Sequence, residues 1–115
     1  MKKKSLPTGS YNLDGFLVTY NSSVRKDITK INYHLFGRIV NVKKENRTEK
    51  YYYPGVFENN QFKKLSNGCY FVENNIGSYD GLINILPAVV TFNEKNLQTA
   101  RDYWKEKIKG KVHNW

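Results

Sequence analysis

Two kinds of side chain that bind nucleic acid are interleaved in one stretch of the chain. Arg38, Lys43, Lys44, Arg47 and Lys50 lead into Tyr51-Tyr52-Tyr53, and Lys63 and Lys64 follow shortly after. Cations neutralise phosphates and release condensed counterions, while an exposed aromatic face stacks on an unpaired base for roughly 1–3 kcal/mol. Readers of single strands that use a sheet or small-barrel surface combine these two residue types. Alternation places Tyr51, Tyr53 and Phe57 on one side and leaves Tyr52 as the outward member of the triplet, the one expected to stack. The plainer reading of the same residues is a solvated loop beside a strand with its tyrosines partly in the core.

Catalytic constellations are sparse. The chain has no Gly-rich phosphate loop, and its two histidines, His34 and His113, are far apart in sequence. Cys69 is the sole cysteine, which excludes an intrachain disulfide and a cysteine-based zinc site. No metal and no cofactor is expected. One enzymatic alternative is metal-free RNA cleavage with His34 as general base beside a tyrosine and a lysine. Against it, a polar-face histidine explains the same residue with nothing added.

Charge supports the first reading. The 115 residues carry 19 bases against 10 acids, a formal charge of +9, which suits a partner of polyanions. Lysine outnumbers arginine and asparagine is abundant, a bias that A/T-rich codons alone would favour, so part of the excess is compositional. The sequence-level expectation is a non-enzymatic nucleic-acid-binding module that contacts single-stranded or structured RNA or DNA through a basic, tyrosine-containing sheet surface. The alternative is an interaction subunit or inhibitor of a larger nucleic-acid-processing assembly, docking its positive face on an acidic protein.

These residues need a scaffold, and the length suits a single domain over 1–115, with residues 1–5 a flexible basic tail. The start Met1-Lys2-Lys3-Lys4 is followed by polar residues rather than an apolar stretch, so no secretory leader is expected. The longest apolar run, Leu82 to Phe92, is about half of a bilayer span. A cytoplasmic protein with no membrane contact follows.

Gly15 to Tyr20 alternates like a strand, and Ile31 to Lys44 reads as a strand whose faces switch near Gly37, as at a β-bulge. Glu45 to Thr48 is a turn, so the Ile31 to Lys44 run and Glu49 to Phe57 form a hairpin. Turn signals frame Phe62 to Leu65, Cys69 to Glu73 is a further strand, and Leu82 to Phe92 reads as a segment buried on both sides. A helix is expected from Asn93, capped by that residue, with Leu97, Ala100, Trp104 and Ile108 on its buried face and Gly110 as its stop. The architecture expected is α+β: five or six mainly antiparallel strands in a coiled sheet or partly open small barrel, with one C-terminal amphipathic helix.

Overall fold

The structure is a computed structural model that describes residues 11–92, 97–108 and 110–115. Its elements, in chain order, are β1 (Tyr11–Tyr20), α1 (Arg25–Phe36), β2 (Arg38–Lys44), β3 (Arg47–Tyr53), a 3-10 turn (Val56–Glu58), β4 (Phe62–Ser66), β5 (Cys69–Val72), β6 (Ile83–Phe92) and α2 (Ala100–Lys107). The fold is α+β, with every strand pairing antiparallel. Four strands form one sheet in the order β4-β5-β1-β6, and β2-β3 form a second, so among the described residues the sheets are open and no barrel closes.

The hairpin and the β4–β5 turn form where turn chemistry asks for them. Glu45-Asn46 joins β2 to β3, and Asn67-Gly68 joins β4 to β5 with Gly68 at φ +73°. β3 stops at Tyr53 rather than reaching Phe57, because Pro54 has no N–H to continue a ladder. Phe57 lies instead in the 3-10 turn, fully buried.

The segment before Gly37 departs from expectation. It is a helix, α1, and the face switch near Gly37 is the helix stop. Ile31 and Leu35, which looked like alternate strand positions, are also i and i+4 on a helix; with Phe36 they are its buried residues. Ser22 prepares the start, accepting from the Val24 N–H (3.1 Å) and donating to Asp27 (2.7 Å). Two helices are therefore present among the described residues. Ile31, Leu35 and Phe36 of α1 pack over Val18 of β1, Tyr70 and Val72 of β5, and Ile83 of β6.

β6 is an edge strand, not a segment buried on both sides: Leu86 and Val89 are 59% and 66% exposed. Pro87 fits there by parity. The Tyr20 N–H bonds to Gly68 and the Asn21 N–H to Leu82, so even-numbered β1 residues turn their backbone bonds toward β5 and odd-numbered ones toward β6. Phe16, opposite Pro87, asks nothing of the missing donor, and the proline nitrogen faces the unpaired edge.

α2 begins at Ala100 on a capping box, Thr99 accepting from the Asp102 N–H (3.2 Å) and Asp102 from the Thr99 N–H (3.3 Å). The expected cap Asn93 lies outside the described residues. Leu97 precedes the helix, and Gln98 bridges Phe62 on the β4 edge. The helix closes at Ile108, short of Gly110. Trp104, expected in the core, is half-buried: its indole N–H donates to the Phe36 carbonyl at 2.9 Å, tying α2 to the end of α1. No helix among the described residues is long and apolar enough to cross a membrane.

One junction joins the helical layer to the hairpin. Gly37 has φ +75° and ψ −161°, a region open essentially to glycine alone. A Cβ there would stand 2.0 Å from the Tyr53 carbonyl oxygen, and one on Gly55 would stand 2.5 Å from the Gly37 nitrogen and 2.6 Å from the His34 oxygen. Gly37→Ala should destabilise the fold by at least ~1–3 kcal/mol, the ordinary cost of a forbidden backbone region, with the overlap adding to it. Gly55→Ala should also destabilise although its φ is ordinary. Denaturant titration of both variants measures this, with Gly81→Ala, where φ is +70° but the surroundings are open, showing the backbone cost without overlap.

Candidate nucleic-acid interface

The β2–β3 register sorts the predicted residues onto two faces. Arg38 opposite Tyr53, Val40 opposite Tyr51, Val42 opposite Glu49 and Lys44 opposite Arg47 share one face. Ile39 opposite Tyr52, Asn41 opposite Lys50 and Lys43 opposite Thr48 share the other.

Tyr52 is on the inward face and fully buried, so it is not the outward, stacking member of the triplet. Residues remote in sequence bury it. Asn114 works as a substitute strand, its side chain accepting from the Tyr52 N–H and donating to the Tyr52 carbonyl, while the His113 N–H bonds to the Lys50 oxygen at 2.9 Å. Trp115 packs on the Tyr52 ring, and the Arg101 guanidinium lies over it at 5.4 Å. Arg101 is itself held by Glu58 at 2.7 Å. Burial pushes the Tyr52 hydroxyl up to about 12, Glu58 adding to the rise and Arg101 opposing it.

With Tyr52 turned in, Tyr51 and Tyr53 turn out. Tyr53 is 50% exposed, and the exposed Arg38 lies 5.9 Å from its ring and 5.2 Å from the ring of Tyr33, which projects from α1 and is 49% exposed. Arg38, Tyr53 and Tyr33 therefore form an accessible cation–aromatic cluster. Tyr33 was not among the residues the sequence singled out; its signal was a tyrosine one turn before a helix-stopping glycine, visible only once the helix is recognised.

Further along the same face, Tyr51 stacks against His113 at 5.0 Å and its hydroxyl bonds to Glu49 at 3.0 Å. Glu49 also takes Arg47 at 2.8 Å and faces His113 at 3.3 Å. The Arg47 hydrogen bond, aided by Tyr51, holds the Glu49 carboxyl below the usual carboxylate range. Lys44 is exposed at the hairpin's tip.

The remaining predicted cations are elsewhere. Lys43 is exposed on the opposite face, and Lys50 donates to Asn41 at 3.0 Å there. Lys63 and Lys64 belong to β4 in the other sheet: the Lys63 ammonium lies 5.5 Å over Phe92, and Lys64 borders a groove against Asp102, Lys105 and Glu106. The structure thus brings Arg38, Lys44 and Arg47 onto one face and separates Lys43, Lys50, Lys63 and Lys64 from it.

His34 has a structural place. Its ring stacks on Tyr79 at 3.9 Å and 2° between planes, joining α1 to the loop before β6, and its Nε2 is enclosed without a hydrogen-bond partner. A general base must reach the proton it takes, and this nitrogen faces protein. Among the described residues no group of three or more His, Cys, Asp or Glu side chains is placed to hold a metal ion. Cys69 is a free, half-buried thiol on β5.

Burial lowers the His34 pKa, with Asp80 partly opposing the shift. A base whose pKa is depressed by folding favours the fold above its unfolded value of about 6.5, and that advantage is lost as pH falls. His34→Phe keeps a flat ring on Tyr79 and should flatten the decline in stability below about pH 6.5, read from denaturant titrations across pH. The buried Tyr52 hydroxyl also has no partner, and leaving a buried polar group unmade costs ~1–3 kcal/mol. Tyr52→Phe should therefore leave stability unchanged or raise it, whereas Tyr52→Ala should lower it by ~3–5 kcal/mol. Comparisons with known protein families, curated proteins and solved structures find no match to this chain.

Proposed function

We propose that the chain is a nucleic-acid-binding module that holds single-stranded RNA or DNA on the open face of the β2–β3 hairpin. The observation that carries this reading is the Arg38–Tyr33–Tyr53 cluster: two half-exposed rings around an exposed guanidinium, on the same face as Lys44 and Arg47. Rings that already accept a cation at their faces offer bases a stacking platform, and the flanking cations offer phosphates their counter-charge. Single strands fit better than duplexes, because only an unpaired base can lay its face on a tyrosine. The net charge of +9 strengthens the long-range attraction without choosing the sequence.

Titration of labelled single strands and duplexes at several salt concentrations tests the proposal. Binding should weaken as salt rises, and Lys44→Gln should flatten that dependence by roughly 0.7, the value of one lost phosphate contact on a single strand. Tyr53→Ala should weaken single-strand binding by ~1–3 kcal/mol and leave the salt slope unchanged, since stacking displaces no counterion. Absence of salt-dependent binding, or wild-type affinity in all these variants with the fold intact, would reject the proposal in favour of an acidic protein as the partner of this face.

A further inference from the structure

Between α1 and α2 lies a cleft of about 310 Å³ lined by Asn32, Tyr33, Phe36, Tyr70, Tyr103 and Trp104. This volume is at the small end of ligand pockets, which run ~300–1,000 Å³. Resting on the hairpin reading above, we infer that this cleft receives one unstacked nucleobase of the strand that the hairpin binds.

Three features of the cleft converge on that occupant. Its walls are mostly aromatic, as flat heterocycles require. Its rims are cationic on two sides: Arg38 lies over Tyr33 at 5.2 Å, and the Lys107 ammonium lies over Tyr103 at 4.9 Å. An inserted base brings a phosphate on each side of itself, and these cations stand where those phosphates pass. The third feature is a polar group of fixed orientation. Asn32 uses its carbonyl oxygen to accept from the Tyr20 hydroxyl, leaving the amide's two N–H donors without a partner among the described residues. Burial, together with the neighbouring Tyr70 hydroxyl, keeps Tyr20 protonated far above neutral pH, so the donor that orients Asn32 persists. The amide thus offers donors to the acceptor edge of a base, such as a pyrimidine carbonyl.

Other ligand classes use only part of this arrangement. An apolar side chain leaves the Asn32 donors and both cations unanswered, and a simple anion leaves the aromatic walls unused. A base with its flanking phosphates answers all three. The cleft is also continuous with the hairpin surface, because Tyr33 lines the one and carries Arg38 of the other. A strand lying over Tyr53 and Arg38 therefore passes the cleft's mouth.

The test uses the full chain and an oligothymidylate carrying 5-iodouracil, photo-crosslinked at low salt, with the modified peptides mapped by mass spectrometry. Crosslinks to Tyr103 or Trp104 are expected. Tyr103→Leu keeps an apolar contact with Phe36 and should weaken binding of the oligonucleotide about tenfold, equivalent to ~1.4 kcal/mol, with the salt slope unchanged. Crosslinks confined to Tyr51 and Tyr53, together with wild-type affinity of Tyr103→Leu, would overturn the cleft's role and leave the hairpin reading standing. No salt-dependent binding to any strand would overturn the hairpin reading and, with it, the cleft.

Discussion

The approach of Gly37 to Gly55 is the constraint on which the rest of the molecule depends. α1 ends where the chain after β3 passes, so close that neither position has room for a Cβ. Backbone at that distance leaves little freedom in the angle between the helix and the hairpin, and three consequences follow. Tyr33, the last outward residue of its helical row, comes to lie beside Arg38, the first residue of β2. Tyr53, whose carbonyl fits against Gly37, is brought to the same guanidinium from the other strand. The Phe36 carbonyl, next to the junction, becomes the acceptor that fixes Trp104 and with it α2. Both the open face and the cleft are therefore built outward from a contact that contains no side chain.

A second constraint comes from the end of the chain. A two-stranded sheet is marginal alone, and this one is anchored by the 113–114 segment along β3 and by the Arg101–Glu58 pair beneath Tyr52. Burying Tyr52 decides the parity of the whole strand. Once its ring faces Trp115 and Arg101, alternation leaves Tyr51 and Tyr53 no choice but the outer face. The choice of exposed tyrosine is thus made by residues sixty positions away, through an asparagine side chain that imitates a backbone edge.

That distance explains which features could be read from sequence. The β2–β3 hairpin, the Asn67-Gly68 turn and the antiparallel meander rest on neighbours in the chain, and their signals are local. The parity of Tyr51 to Tyr53 rests on Asn114 and Trp115, and no local pattern states it. α1 was hidden for a different reason: Ile31 and Leu35 satisfy period 2 and the i, i+4 spacing equally well. The tie could have been broken by Ile28, by Asp27 in the first turn, and by Gly37 at the C-terminal end, which together spell a helix. The α2 start was legible too, since Thr99-Ala100-Arg101-Asp102 has the spacing of a capping box, but reading Asn93 as the cap carried the expected helix across Leu97 to Thr99, which precede it. For β6, an uninterrupted apolar run is ambiguous between a central strand and an edge. Pro87 favoured the edge, and the parity of its nitrogen shows why the edge could accept it.

The charge of the open face is less uniform than the composition suggests, and this shapes the path a bound strand would take. Glu49 stands in the β3 row between Arg47 and Tyr51, and because the Arg47 hydrogen bond holds its carboxyl low, it keeps its charge at neutral pH. It occupies Arg47 and repels phosphate from β3. On β2, by contrast, Arg38 and Lys44 share this face with only Val40 and Val42 between them. At ~3.3 Å per residue they stand about 20 Å apart along the strand, a cationic track unopposed by acids in its own row. The tyrosines lie in the neighbouring row, about 4.8 Å to the side. In the proposed complex the phosphates accordingly follow β2 while the bases turn across the hairpin toward Tyr51 and Tyr53. The β2 end of that track is Arg38, at the rim of the cleft, so the same polarity that keeps phosphate off β3 delivers the strand to Tyr33.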